Sequence, residues 1–184
     1  FGGQICEMDS IVNLCDEKKI LLIEDSAETL GGTWKGKKSG SFGTGCFSFF
    51  PTKNITTGEG GMLTTNDSDI DKKARALIAH GIHSSTFSRE NSEKPWLRSA
   101  DYPGHNFRMP NPLAALGHQQ LLRLDEMNNN RNKIAHYYNK SLSSLSYIST
   151  PYCHPNVYHV YQMYTIEVDE EIRDRLIMHL KNNG

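Results

Sequence analysis

The sequence predicts an α/β fold on three observations. A short unbroken apolar run, Ile20-Leu21-Leu22-Ile23, ends in the acids Glu24-Asp25. This is the pattern of a strand buried on both faces of a parallel sheet that opens at its carboxyl edge. Directly before it, Met8, Ile11, Val12 and Cys15 recur at helical spacing and give one apolar stripe. After it, strand, turn and helix signals follow one another to about residue 80 in the order α-β-β-turn-β-α.

The elements read in order as follows. The first helix spans roughly 7–18 and closes on the polar run Asp16-Glu17-Lys18-Lys19. In the strand at 20–23, successive side chains face opposite ways, so Glu24 and Asp25 do not form a carboxylate dyad. Lys35-Gly36-Lys37-Lys38-Ser39-Gly40 reads as a basic turn. Strand character resumes over Gly45-Cys46-Phe47-Ser48-Phe49-Phe50 until Pro51 breaks it. Thr52-Lys53-Asn54 follows, and the glycine cluster Gly58-Glu59-Gly60-Gly61 leads into the strand Met62-Leu63-Thr64-Thr65. Asp67 or Ser68 caps a helix carrying Ile70, Ala74, Leu77 and Ile78, with Gly81 as the residue that ends it.

Residues 82–104 are polar and without period, which predicts a long loop. Asn111 and Pro112 serve as N-cap and first residue of a helix bearing Leu113, Leu116, Leu121, Leu124 and Met127, reaching about Tyr138. Asn128 to Asn130 read as its exposed face. Tyr158, Val160, Gln162, Tyr164 and Ile166 then alternate as a strand, and Ile172, Leu176 and Leu180 mark a last helix. The shift in pattern near 125–140 divides the chain into one unit at 1–125 and a second at 126–184.

Composition narrows the function classes. With 20 Lys and Arg against 21 Asp and Glu over 184 residues, the net charge of −1 provides no general attraction to nucleic acid or anionic membranes. The apolar runs fall far short of the ~20 residues a membrane span needs. No signal peptide is visible at the start, so the expected location is cytoplasmic. Cys6, Cys15, Cys46 and Cys153 lack a paired framework and are expected to be reduced and mostly buried. The opening Phe1-Gly2-Gly3-Gln4 has no initiator Met, which suggests a piece of a longer protein.

The stretch 24–61 combines an acid ending a strand, a hydroxyl within the next strand, a lysine five residues later and a glycine-rich turn. Pyridoxal 5'-phosphate (PLP) would use all four. It takes a lysine amine as a Schiff base, a carboxylate at its ring nitrogen, and neutral donors such as Ser48 at its phosphate. The glycine turn lacks the Gly-Lys-Ser/Thr ending of a P-loop, and Gly43-Thr44-Gly45 does not extend to a dinucleotide fingerprint. His80 and His83 lack a third ligand at metal spacing, and Cys153-His154 is isolated, so no metal site is expected.

The motifs Glu24-Asp25-Ser26-Ala27-Glu28, Gly40-Ser41-Phe42-Gly43, Phe47-Ser48-Phe49, Thr52-Lys53-Asn54 and Thr57-Gly58-Glu59-Gly60-Gly61 resemble the DegT/DnrJ/EryC1/StrS family of PLP-dependent sugar aminotransferases. Gly104-His105-Asn106-Phe107-Arg108-Met109, Ala114-Ala115, Gln119-Gln120-Leu121 and Tyr158-His159-Val160-Tyr161 extend the resemblance in the family's order. It implies an aspartate-aminotransferase-like fold (PLP fold type I): a large α/β domain with a mixed sheet, whose C-terminal part would be 1–125. A linking helix and the start of a smaller C-terminal α/β domain would occupy 126–184.

Residue by residue, the resemblance implies that Lys53 forms the Schiff base and shuttles a proton between Cα and C4′. Asp25 would hold the pyridinium nitrogen, Ala27 would lie on the ring face, and Ser48 would bind the phosphate. Asn106 would reach the phosphate of a neighbouring subunit's cofactor, which implies a homodimer with shared active sites. Residue 28, usually Gln or His in the family and a donor to the ring oxygen, is Glu28 here. A lysine rather than a histidine at position 53 favours transamination. The implied reaction moves an amino group from an amino acid such as glutamate to a keto sugar carried on a nucleotide. Two other readings stay open: a truncated or degenerate aminotransferase segment with a scaffold or regulatory role, and a PLP enzyme of the same fold with different chemistry such as elimination.

Overall fold

The computed structural model describes residues 1–82, 90–91, 93–97, 99–100 and 102–183. Its elements in chain order are α1 (Met8–Lys18), β1 (Ile23–Asp25), β2 (Thr33–Trp34), β3 (Lys37–Lys38), β4 (Thr44–Ser48), β5 (Gly61–Thr64), α2 (Ser68–Leu77), α3 (Asn111–Leu121), α4 (Leu124–Leu142), β6 (Ile148–Ser149), β7 (Val157–Tyr158), β8 (Glu167–Val168) and α5 (Glu170–Asn183). The architecture is α/β. β1 pairs parallel with β4, and β4 pairs antiparallel with β5, giving a mixed sheet in the order β1-β4-β5. A second sheet, in the order β3-β2-β7, joins residues 33–38 to the chain at 157–158. β6 and β8 form a separate antiparallel pair.

Local chemistry explains several boundaries. α1 stops at Lys19, which takes a left-handed conformation while Ile20 N–H returns to the Cys15 carbonyl at 2.9 Å. The expected basic turn is the β2–β3 hairpin, with Lys35 and Gly36 both at positive φ as a type I′ turn requires. Asp67 caps α2 by accepting from the N–H groups of Asp69 and Ile70. Among the described residues, two apolar clusters form the core. One packs Met8 of α1 with Ile5 and Trp34, and the other packs Phe49 and Ile55 against Leu124 of α4.

Several expectations are corrected. The strand predicted at 20–23 runs instead over Ile23–Asp25, and Ile20, Leu21 and Ile23 are exposed. Among the described residues β1 is paired on one edge only, with β4. The predicted helix from 111 to about 138 is two helices, because Arg123 leaves helical geometry at φ −106, ψ 2 between α3 and α4. Pro110 occupies its N-cap position, and Asn111 is already helical.

The alternating segment 158–166 is mostly irregular. β7 ends at Tyr158, and Tyr161 adopts a positive φ of 43° that no strand accommodates. The cysteines are free but not mostly buried: Cys6 and Cys153 are exposed, and Cys15 and Cys46 half-buried. Asn128 is fully buried rather than part of an exposed face, since it falls in phase with the buried Leu124 and Ala135 on α4. The predicted loop at 82–104 and His83 lie partly or wholly outside the described residues. No described helix is long and apolar enough to cross a membrane.

Candidate active site

The mixed sheet brings two of the predicted site residues to one face. Asp25 ends β1 and is in register with Cys46 of β4. Ser48 lies two residues further along β4, so its side chain emerges on the same face, about 7 Å along the strands and about 5 Å across. Asp25 is exposed and accepts the Ala27 N–H at 3.2 Å, which turns the chain directly after the strand. Ser48 Oγ accepts the Phe50 N–H at 3.3 Å, leaving its own O–H free to donate outward.

Glu24, one residue before, faces the other way and is built into the fold. It is buried and accepts the N–H groups of Gly40, Phe42 and Gly43 at 2.6–2.8 Å. Its carboxylate thus shapes the Gly40–Gly43 turn that precedes β4.

Past β4 the chain folds back on itself around the lysine. Phe49 N–H bonds the Gly60 carbonyl, and Thr57 N–H bonds the Phe49 carbonyl at 3.0 Å, so residues 50–56 form a closed excursion. Lys53 Nζ stands 3.4 Å from Glu28 Oε1, with the two side chains 17% and 25% exposed. The other Glu28 oxygen accepts the Gly2 N–H at 2.8 Å. That bond, and then the Lys53 ammonium, hold the Glu28 carboxyl below the usual carboxylate range in spite of its burial. Glu28 is therefore ionised at neutral pH and acts as an acceptor.

The structure thus brings Lys53 to Glu28 and sets Asp25 and Ser48 on one sheet face, with Ala27 in the turn between Asp25 and Glu28. Asn106 is exposed on a segment whose backbone bridges Ala79. Sequence reasoning missed two contributors. Gly2 and Gly3 bring the start of the chain beside Glu28, and their carbonyls accept from Met163 and Val160 at 3.1 Å. Gly3, at φ +110, lies so close to the Tyr161 and Gln162 amides that a Cβ would be 2.8 Å from both nitrogens. Asn128, Gln120 and Gln162 form the second group, taken up below. Among the described residues no three His, Cys, Asp or Glu side chains gather at metal-binding range.

The model of the DegT/DnrJ/EryC1/StrS aminotransferase family matches residues 1–184. The chain belongs to this family. It is 40% identical over 187 residues to GDP-perosamine synthase of Caulobacter vibrioides, covering 99% of this chain and 48% of that one. Among solved structures, the aminotransferase TlmJ of Streptoalloteichus hindustanus superposes with a TM-score of 0.89 at 28% identity, over 100% of this chain and 48% of that one. Spr1654 of Streptococcus pneumoniae, solved in its PMP form, does so with a TM-score of 0.87 at 26% identity, over 98% and 51%. The chain spans about half the length of the curated relatives it matches.

Proposed function

We propose that the protein is a PLP-dependent aminotransferase that moves an amino group from an amino acid such as glutamate to a keto sugar, carried on a nucleotide, in the cytoplasm. The observation that carries this reading is Lys53, a mostly shielded amine held at Glu28 within an aminotransferase-family chain. The donor set fits the cofactor. Lys53 has one ion-pair partner at 3.4 Å and two further N–H donors, Asp25 offers an exposed carboxylate at a strand end, and Ser48 offers a hydroxyl on the same sheet face. Lys53 would hold the aldehyde carbon, Asp25 the ring nitrogen, Ala27 the ring face and Ser48 the phosphate, with Asn106 serving the neighbouring subunit of a homodimer.

When bound, pyridoxal phosphate supplies an electron sink for negative charge at a substrate carbon. The chain's own residues do the rest. The Asp25 carboxylate, placed at the ring nitrogen, would favour a proton there by charge attraction. Lys53 Nζ, as the neutral amine, would be the base that takes a proton from the substrate. Glu28, ionised and anchored by Gly2, steadies that amine by accepting from it. Residues 1–125 would then form the C-terminal part of a PLP-binding large domain, and 126–184 a linking helix and the start of a small domain.

The test is to incubate the full-length protein with pyridoxal phosphate, reduce with borohydride, and map the modified lysine by peptide mass spectrometry. Label concentrated on Lys53 is expected. Label spread evenly over the lysines would overturn the assignment and leave a scaffold role as the better reading.

A further inference from the structure

Lys53 sits on a backbone segment gripped by primary-amide side chains from the second half of the chain. One residue before it, the Thr52 carbonyl accepts from Gln162 Nε2 at 2.9 Å. One residue after it, the buried Asn54 donates through Nδ2 to Asn128 Oδ1 at 2.8 Å, and more weakly to the Val160 carbonyl at 3.4 Å. Three residues after it, Gln120 binds Thr56 at two points, donating to its carbonyl at 2.5 Å and accepting from its N–H at 3.1 Å.

Asn128 does more than the others. Its side chain is fully buried, and its Nδ2 donates to the Leu30 carbonyl at 3.1 Å. That donation fixes which way the amide faces, so Oδ1 is the atom turned to Asn54. Leu30 lies two residues after Glu28, and Asn54 lies one residue after Lys53. A single amide on α4 therefore ties the segment carrying the carboxylate to the segment carrying the amine. The approach requires Gly31, where a Cβ would lie 2.6 Å from Asn128 Nδ2.

We propose that Asn128 is a positioning residue for Lys53, setting through Asn54 and Leu30 where the amine stands relative to Glu28 and to the Asp25 and Ser48 face. The proposal rests on the reading of Lys53 as the lysine that takes up pyridoxal phosphate. A buried amide could instead serve the fold alone by satisfying two neighbours. The two roles separate in what they change. A fold-only amide alters stability, whereas a positioning amide alters the reactivity of one lysine among many.

The experiment uses the full-length protein with Asn128→Ala, Asn54→Ala and the double variant. For each, the thermal midpoint is measured alongside the rate at which pyridoxal phosphate becomes fixed at Lys53, as a function of pH, with the remaining lysines as internal controls. Each single variant is expected to slow fixation at Lys53 by at least about tenfold and to move its pH profile, with the control lysines unchanged. The double variant is expected to be no slower than the worse single one, because both act through one link. A lowered midpoint with an unchanged Lys53 rate and pH profile overturns the proposal while leaving the lysine assignment intact. Failure of the unmodified protein to fix the cofactor at Lys53 overturns both. If Asn128→Ala does not fold, Asn54→Ala decides by the same criteria, since it cuts the link and leaves Asn128 bonded to Leu30.

Discussion

Lys53 Nζ and Glu28 Oε1 stand 3.4 Å apart, and the second Glu28 oxygen is committed to the Gly2 N–H at 2.8 Å. A side chain at this position that accepts from both neighbours cannot donate to a cofactor oxygen, which is what the Gln or His usual in the family would do. The Gly2 bond first, and the Lys53 ammonium after it, keep the carboxyl below its ordinary range. The stability it contributes is therefore present above about pH 4.5, the ordinary value, and is lost as pH falls through the lower folded value. Glu28→Gln retains an acceptor for Gly2 and removes the charge. It should cost up to about 1 kcal/mol at neutral pH, with a difference from the unmodified chain that narrows at acid pH, below the ordinary value of 4.5. Urea unfolding at both pH values measures this, and an equal difference at both would contradict the assignment.

Asp25 reaches the site from an exposed strand end, on the face that also carries Ser48. Replacing it with Asn keeps the shape and the acceptor for the Ala27 N–H but removes the charge. Asp25→Asn in the full-length protein should still fix pyridoxal phosphate at Lys53, while amino transfer from glutamate falls by about 10²–10³-fold. Fixation is read by borohydride reduction and mass spectrometry, and transfer by a single-turnover assay. Normal turnover in this variant would refute the electron-sink role of Asp25.

The elements legible in the sequence were those specified locally. The stripe from Met8 to Cys15 defines α1, and the Lys35-Gly36 pair accounts for the hairpin. The lysine motif also carries its own turn residues. Features that depend on distant neighbours were hidden. Ile20 to Ile23 look like a buried strand because apolar runs usually are, yet Ile20, Leu21 and Ile23 are exposed while Leu22 packs against the Ile5, Met8 and Trp34 cluster. Asn128 hides in a run of three asparagines, and only its phase with Leu124 and Ala135 reveals that it faces inward. The positive φ at Tyr161 has no signal in residue type, since tyrosine favours extended backbone. The strand-end and turn placements of Asp25, Ser48 and Lys53 follow from such local signals, whereas the amides that hold the lysine segment do not.

Glu24 provides a test of the scaffold that is separate from chemistry. Its buried carboxylate accepts three backbone N–H groups, from Gly40, Phe42 and Gly43. Glu24→Ala leaves all three without their acceptor in a turn packed beneath β1 and β4. The Gly40 donor is buried and the other two part-buried, so at about 1–3 kcal/mol for a buried donor left unsatisfied the loss should be about 2–3 kcal/mol. Urea denaturation of the variant measures it directly. A loss below about 1 kcal/mol, the range of ordinary surface substitutions, would show that the turn holds without the carboxylate.

His159 sets the acid limit of the loop that packs on Gly3. The ring is buried, stacks on Tyr161 with centroids 3.9 Å apart, and accepts the Tyr161 N–H at Nδ1 over 2.9 Å. Burial pushes its pKa down to about 4 from 6.5. Between those two values the unfolded chain binds a proton that the folded chain refuses. The stability tied to His159 is thus complete above about pH 6.5 and drains away as pH falls toward 4. Over that window the loss should amount to about 2–3 kcal/mol. His159→Asn supplies a side-chain oxygen that can still accept the N–H two residues on, as in an Asx turn, and it cannot be protonated in this range. Comparing urea midpoints at about pH 7.5 and pH 4.5, the unmodified chain should lose stability steeply and the variant should lose much less. Glu28 contributes little in this interval, because its carboxyl titrates below it. An equal loss in both proteins would place the acid-sensitive group elsewhere.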